Sequence, residues 1–179
     1  MKVLISVASR HGATLEIAEV IRNELVKSNI EVDVIAPARV ADVSSYDAIV
    51  IGSSIYAGRW LAPARELIDR QLTQLREKPV WLFSSGPLGS PPKPSQPPAD
   101  ALEMTQRTNA LDHQLFDGRL DRELLGFAER AVVRVVGAPS GDFRPWFAIA
   151  EWARRIAASA TGEEQIPVGA GPVRVTTNA

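Results

Sequence analysis

The chain has 179 residues, of which 45% are hydrophobic and 23% charged, so it is long enough for one well-buried domain and too apolar for wholesale disorder. Its 20 Lys and Arg against 21 Asp and Glu give a formal net charge of −1. That balance argues against a protein that coats nucleic acid and against the strongly acidic surface typical of small electron carriers. The chain has no cysteine and two histidines, which excludes iron–sulfur clusters and argues against any metal site.

Five short segments have the composition of β-strands. Val3–Val7, Ala48–Ile51 and Val80–Phe83 are continuous apolar runs, the pattern of strands buried on both faces of a parallel sheet. Ile30–Ile35 alternates apolar and charged residues, and Gln114–Phe116 is short, so both are typical of edge strands. No apolar run approaches the roughly 20 residues of a membrane span. No signal peptide pattern precedes the first run, so we expect a cytoplasmic protein.

Between these strands the apolar residues recur with the helical period. The resulting apolar faces comprise Ile17, Ala18, Ile21 and Leu25; then Leu61, Ala64, Ile68, Leu72 and Leu75; and finally Ile149, Trp152, Ala153 and Ile156. Strands that alternate with such helices predict right-handed crossovers and a doubly wound α/β sheet. Two edge strands around three buried ones favour a flavodoxin-like, five-stranded parallel sheet with the strand order 2-1-3-4-5 over a six-stranded order.

Two segments interrupt this rhythm. Residues 87–98 contain six prolines and predict an extended loop, either a plain surface connection or a functional loop at the end of a strand. Residues 121–136 predict an extra helix near the last strand, with three arginines among apolar positions. We therefore expect one domain over residues 1–160 and a flexible C-terminal tail over residues 161–179.

The segment after the first strand has the composition of an anion-binding loop. It consists of Ser9, Arg10, His11, Gly12, Ala13 and Thr14 and leads directly into a helix. Hydroxyls, a glycine and the free amides of a helix N-terminus together form a phosphate cradle. The alternative is ordinary helix capping by Ser9 or Thr14. The spacing matches neither the P-loop nor the dinucleotide-binding glycine pattern.

Two further loops rich in small residues follow the second and third buried runs. The first, over residues 52–60, predicts that a flat ring stacks on an aromatic side chain; its candidate residues are Ser53, Ser54, Ile55, Tyr56, Ala57 and Gly58. The second has Ser84, Ser85, Gly86, Pro87, Leu88 and Gly89, whose glycines let the main chain approach a planar ligand. Alternatively these are a packed loop and a simple turn, and Trp60 is interpreted as a core residue. A serine-hydrolase elbow is excluded because Tyr56 replaces its last glycine.

A phosphate loop with two ring-contacting loops describes a site for a mononucleotide with a planar head, such as FMN. Five segments follow one another along the chain in a fixed order: Ser9–Thr14, Gly52–Tyr56, Ser84–Gly89, Phe116–Leu120 and Gly141–Arg144. Together they resemble the flavodoxin-domain group that contains the quinone-dependent protoporphyrinogen IX dehydrogenases of haem biosynthesis. The likeness covers nearly all of residues 1–160.

The resemblance implies an FMN-dependent oxidoreductase that oxidises a porphyrinogen, with a quinone as electron acceptor. The chemistry would take place on the flavin, and no side chain stands out as a general base. Residues 121–136 would either pack on the domain or meet a porphyrin carboxylate, a quinone or the inner face of the membrane. A homodimer is left open. The phosphate would be bound by Ser9, Gly12, Ala13 and Thr14, and the ring by Ser53, Ser54, Ile55 and Tyr56 on one side and Ser85, Gly86 and Leu88 on the other.

Three alternatives stay open from the sequence. The first is a flavodoxin-type electron carrier that passes electrons between partner proteins. The second is a quinone reductase that uses FMN or a deazaflavin on the same scaffold. The third is an interaction module that kept the fold and lost the cofactor, since a fold alone does not define a function.

Overall fold

The three predicted buried runs form the centre of a parallel sheet. The computed structural model describes residues 1–56, 58–86, 99–121, 123, 126 and 140–163. Its strands are β1 (Lys2–Ala8), β2 (Glu31–Ile35), β3 (Ala48–Tyr56), β4 (Arg59–Trp60), β5 (Val80–Ser85), β6 (Asp112–Phe116), β7 (Arg119–Leu120) and β8 (Gly141–Asp142). Its helices are α1 (Ala13–Lys27), α2 (Ala62–Leu75), α3 (Ala99–Thr108) and α4 (Trp146–Thr161), with a short 3-10 turn at Pro37–Arg39.

The parallel strands lie in the order β2-β1-β3-β5-β6, which confirms the predicted order 2-1-3-4-5 of a flavodoxin-like sheet. Strand β4 is an addition that pairs antiparallel with the end of β3, and β7 and β8 form a separate antiparallel pair. None of these three short strands is predicted from the sequence. The ordinary crossovers place the carboxyl ends of β1, β3 and β5 side by side, at the point where the strand order reverses.

The two faces of the sheet are covered by different helices. One core joins Val3, Ile5 and Val50 of the sheet to residues of α1 and α4, whereas the other joins Leu4 and Ile49 to residues of α2 and α3. The predicted apolar faces of α1 and α4 are fully confirmed as buried. Of the face predicted for the second helix, Ala64, Ile68 and Leu75 are buried in α2, while Leu72 and Leu61, the residue before α2, are partly exposed.

Strands β3 and β5 extend further than the apolar runs predicted. Residues 52–56 and Ser84–Ser85 were expected to be loops, but they belong to β3 and β5. The reason is packing across the sheet: a Cβ on Gly52 would lie only 2.1 Å from the ring of Phe83, so the glycine makes room for that ring in a fully paired strand. A small residue therefore continues the strand here rather than ending it.

An aromatic cluster packs α4 against β5 and β6 on the α1 side of the sheet. The rings of Phe83, Phe116 and Trp152 meet at centroid distances of 5.7 to 6.2 Å. The Trp152 indole N–H donates to the carboxylate of Asp112, 2.8 Å away, so its polar edge is satisfied. The predicted loop over residues 87–98 lies outside the described residues, as do most of residues 121–136 and the tail from residue 164 onward.

Candidate functional site

Three segments meet at the carboxyl edge of the sheet. Ala8 of β1 pairs with Ser53 of β3, so the next residues along these strands, Ser9 and Ser54, are neighbours. Ser54 in turn pairs with Ser85 of β5. Since adjacent strands lie about 4.8 Å apart, the loop after β1 and the ends of β3 and β5 form one continuous rim.

The N-terminus of α1 opens onto this rim without a side-chain cap. Gly12 is the N-cap residue, in the left-handed region at φ 82°, and it makes no side-chain cap hydrogen bond to the first N–H groups of the helix. The capping alternative for Ser9 or Thr14 is therefore wrong. The first backbone N–H groups of a helix have no intrahelical partner, so those of Ala13 and Thr14 are available to an anion.

Two buried hydroxyl groups at the rim have no hydrogen-bond partner among the residues that the structure describes. They are Oγ of Ser9, in the loop before α1, and Oγ of Ser54, near the end of β3. An unsatisfied buried hydroxyl costs about 1–3 kcal/mol, so such groups usually face a ligand or water. Together with the uncapped helix, these two hydroxyls fit the phosphate and polar ring edge of a flavin mononucleotide.

The neighbouring serines are bonded differently. The Ser53 hydroxyl accepts from the backbone N–H of Leu61 and donates to the Ser54 carbonyl, both at 2.9 Å. The Ser84 hydroxyl accepts from the indole N–H of Trp60 at 2.8 Å, and Trp60 is buried as predicted. These two serines lie on the α2 face of the sheet, whereas Ser54 and Ser85 face the α1 side, because successive side chains of a strand alternate.

On the α2 face, His113 of β6 is a further hydrogen-bond partner of Ser84. Its Nε2 lies 2.8 Å from the Ser84 hydroxyl. Burial lowers the pKa of His113, with a weaker opposing effect from the neighbouring charge of Asp112. The ring is therefore held neutral, and a proton on Nδ1 leaves Nε2 free to accept the Ser84 hydroxyl.

Tyr56 lies at the exposed end of β3, with 42% of its surface accessible. The guanidinium carbon of Arg10 lies 4.1 Å from the centre of its ring, so one face of the ring is covered by a cation from the loop after β1. Gly58 follows at φ 76°, in the turn that returns the chain to β4. The loops that the sequence assigned to phosphate and to ring therefore touch one another here.

The segment that follows β6 packs closely against the end of β5. Gly86 has φ 104° and donates its N–H to the Phe116 carbonyl at 3.0 Å. A Cβ on Gly118 would lie 3.4 Å from Cα of Gly86 and 3.8 Å from Oγ of Ser85. Gly118 thus belongs to the rim; the sequence pattern had placed it only within the segment Phe116–Leu120, with no role of its own. The sequence signal that could have identified this position is a glycine that follows Asp117, directly after an edge strand.

A group of four charged side chains lies beneath the loop after β1. Arg144 bonds both carboxylate oxygens of Asp142, at 2.8 and 2.6 Å, and lies 2.9 Å from the carboxylate of Glu16 on α1. Arg119 contacts the same Glu16 carboxylate at 3.0 Å. The hydrogen bond from Arg144 holds the pKa of Asp142 below its usual range. We name these residues, Glu16, Arg119, Asp142 and Arg144, the charged cluster.

Of the predicted site residues, the structure brings together those of the loop after β1 and those at the ends of β3 and β5. Ala57, Pro87, Leu88 and Gly89 lie outside the described residues. Among the residues that the structure does describe, no group of three or more His, Asp or Glu side chains is arranged to hold a metal ion. Within the same ranges, no helix has the length and apolar character needed to cross a bilayer.

Residues 4–144 match the family model of the flavodoxin domain. The chain belongs to the flavodoxin domain family. Over 172 residues, it is 25% identical to a protein named protoporphyrinogen IX dehydrogenase (quinone) from Escherichia coli K12, covering 88% of this chain and 95% of that relative.

Solved flavodoxin structures share the same fold. A flavodoxin from the domain Archaea superposes with a TM-score of 0.63 at 17% identity, over 90% of this chain and 99% of that one. Flavodoxin 1 from Bacillus cereus gives a TM-score of 0.57 at 18% identity, over 92% and 99% of the two chains. Membership of the flavodoxin domain family implies a flavin cofactor and a redox role, as an oxidoreductase or an electron carrier.

Proposed function

We propose that this protein is an FMN-dependent oxidoreductase, similar in activity to the protoporphyrinogen IX dehydrogenases, with a quinone as electron acceptor. The observation that supports cofactor binding most directly is the pair of buried hydroxyls of Ser9 and Ser54, which have no partner among the described residues, beside a helix without a side-chain cap. A domain without a ligand would gain stability by bonding or losing these hydroxyls.

The residues of the rim divide between the two ends of the cofactor. Ser9, Gly12, Ala13 and Thr14 would bind the phosphate through hydroxyls and first-turn amides. Ser54, Ile55 and Tyr56 at the end of β3, with Ser85 and Gly86 at the end of β5, would frame the ring. Bound FMN would supply the hydride and electron chemistry, while the protein binds and orients it.

The choice of substrate rests on the relative from Escherichia coli, whose name states its activity. The alignment spans 95% of that protein, so the two chains correspond over almost their whole lengths. A porphyrinogen would be oxidised mainly by being held with its reacting carbon against the flavin, since proximity and orientation are the largest contributions that this site offers. The proposed role is in haem biosynthesis.

The second candidate is a flavodoxin-type electron carrier. It is favoured by the structural relatives, because solved flavodoxins are covered over 99% of their chains. The net charge of −1 opposes it, since carriers dock on their partners through a strongly acidic face.

The first experiment is an FMN titration of purified protein, followed by flavin fluorescence and by the visible spectrum after dialysis. We expect tight binding and a retained oxidised-flavin spectrum. Protein that neither retains nor binds FMN would contradict the cofactor proposal, whatever its activity.

The second experiment separates the two candidates with the FMN-loaded protein. We expect multiple turnovers of protoporphyrinogen IX in the presence of a soluble quinone, with anaerobic controls that lack the quinone or the protein. Failure to turn over, combined with fast electron transfer to a partner protein, would favour the carrier.

A further inference from the structure

Arg144 is a buried cation that contacts both its own segment, before α4, and the start of α1. Its side chain is 1% exposed. On its own segment it bonds both carboxylate oxygens of Asp142, and its guanidinium carbon lies 4.2 Å from the centre of the Trp146 ring. On the α1 side it donates to the carbonyl of Ala13 at 3.0 Å and pairs with Glu16.

These contacts engage every nitrogen of the guanidinium. Nε, Nη1 and Nη2 each have an acceptor, and the charge is balanced by two carboxylates. With Arg119 included, the charged cluster has two cations and two anions and is neutral. Arg144 therefore adds little net charge near the N-terminus of α1, and its burial leaves no surface with which to touch a ligand.

What Arg144 does contact is the peptide unit next to the helix cap. The carbonyl of Ala13 and the N–H of Thr14 belong to one rigid, planar group, so a bond to the carbonyl fixes the direction of the N–H. That N–H is one of the first-turn amides with no intrahelical partner. The bond spans 131 positions in sequence, from Arg144 after β8 to the first turn of α1.

We propose that Arg144 is a positioning residue that orients the first-turn amides of α1 for a phosphate group. This inference rests on the proposed FMN function and deepens it. Its structural basis is the 3.0 Å bond to the Ala13 carbonyl and the Arg144–Glu16 pair, which together fix the start of α1 to the segment before α4.

The experiment compares FMN with riboflavin, which has the same ring and lacks the phosphate. For Arg144→Gln we expect the dissociation constant of FMN to rise about 10- to 100-fold, the loss typical of a charge-assisted hydrogen bond. Riboflavin should change by less than about threefold, because its ring meets the ends of β3 and β5. Both constants are measured by quenching of flavin fluorescence.

Arg154→Gln is the matched control. Arg154 of α4 also pairs with a glutamate of α1, Glu24, at 3.1 Å, but far from the helix N-terminus. We expect this variant to bind FMN as the wild type does. Equal losses for FMN and riboflavin in Arg144→Gln, no loss for FMN, or an equal loss in Arg154→Gln would each overturn the positioning role. A wild type that binds no FMN would instead overturn the proposed function itself.

If Arg144→Gln fails to fold, Arg144→Lys tests the positioning role instead. Lysine keeps the charge against Asp142 and Glu16, but a single ammonium group does not reproduce the planar fork that also reaches Ala13. We expect a folded protein with weakened FMN binding and unchanged riboflavin binding. Wild-type affinity for FMN in this variant would show that charge alone suffices and would overturn the proposal.

Discussion

At the carboxyl edge of the sheet, serine hydroxyls on the two faces differ in their hydrogen bonding. On the α2 face, the hydroxyls of Ser53 and Ser84 are bonded to Leu61, Trp60 and His113. On the α1 face, the hydroxyl of Ser54, like that of Ser9 in the adjoining loop, is buried and has no partner in the described part of the chain. Residues of one type, adjacent in sequence, thus serve stability on one face and stay available for a ligand on the other.

The largest effect is expected just below the α1-face serines, at Gly52. In Gly52→Ala the new methyl group would overlap the ring of Phe83, and we expect a loss of about 3 kcal/mol in the free energy of unfolding. Urea unfolding measures it. Phe83→Leu in the same chain removes the overlapping ring atoms and should recover part of the loss. Full stability of Gly52→Ala alone would show that the ring moves freely and would contradict this packing.

The second effect breaks the bonded face. Ser84→Ala leaves the indole N–H of Trp60 buried without an acceptor, so we expect a loss of about 2 kcal/mol. FMN affinity should stay within about twofold, because this hydroxyl is engaged inside the protein. The measurements are urea unfolding and FMN titration. The exposed Ser45→Ala serves as the control for losing one hydroxyl, and a fall in FMN affinity without a fall in stability would reverse our assignment.

The third effect should fall on binding instead of stability. Ser9→Ala and Ser54→Ala each remove a hydroxyl that has no partner within the described ranges, so the unfolding free energy without cofactor should hold steady or rise slightly. FMN should bind about 5- to 10-fold more weakly, the cost of one lost hydrogen bond. Fluorescence titration and unfolding on the same preparations test both halves. Destabilised protein with normal FMN affinity would place these serines with the bonded ones.

The smallest effect is a pH dependence of the bonded face. Burial lowers the pKa of His113, so the folded state resists the proton that the unfolded chain takes up near its ordinary pKa of about 6.5. The contribution of His113 is therefore complete above that pH and is lost as the pH falls through the lowered value. We expect wild type to lose more stability than His113→Gln between pH 7.5 and pH 5. Parallel curves for the two proteins would contradict a neutral, buried ring.

The sequence predicted the parts of this molecule that depend on local periodicity. The three central strands, both edges and the apolar faces of α1 and α4 follow from alternating and helical patterns, because burial on a sheet or helix face imposes them. The extension of β3 through Gly52 was not predictable in this way. It depends on the Phe83 ring of the neighbouring strand, and a glycine after an apolar run is as typical of a turn.

The site was predicted as a set of loops but not in its bonding. Sequence identified Ser9, Ser53, Ser54 and Ser84 alike, since their hydroxyls are chemically identical. Which of them is already bonded depends on contacts such as that between Trp60 and Ser84, 24 positions apart. The role of Arg144 depends on a contact across 131 positions, for which one sequence contains no signal.

The division of the core between the helices also sets an order for the emerging chain. The α2-side core uses residues from Leu4 to Met104, whereas the α1-side core needs residues up to Ala157 of α4. At roughly 5–20 residues per second, some fifty residues of synthesis correspond to about 3–10 s during which α1 is present on this side of the sheet but the part of the core that α4 supplies is still missing. We therefore expect the nascent chain to leave the apolar surface that α4 covers open to chaperones and other chains for seconds after all residues of the α2-side core have been synthesised.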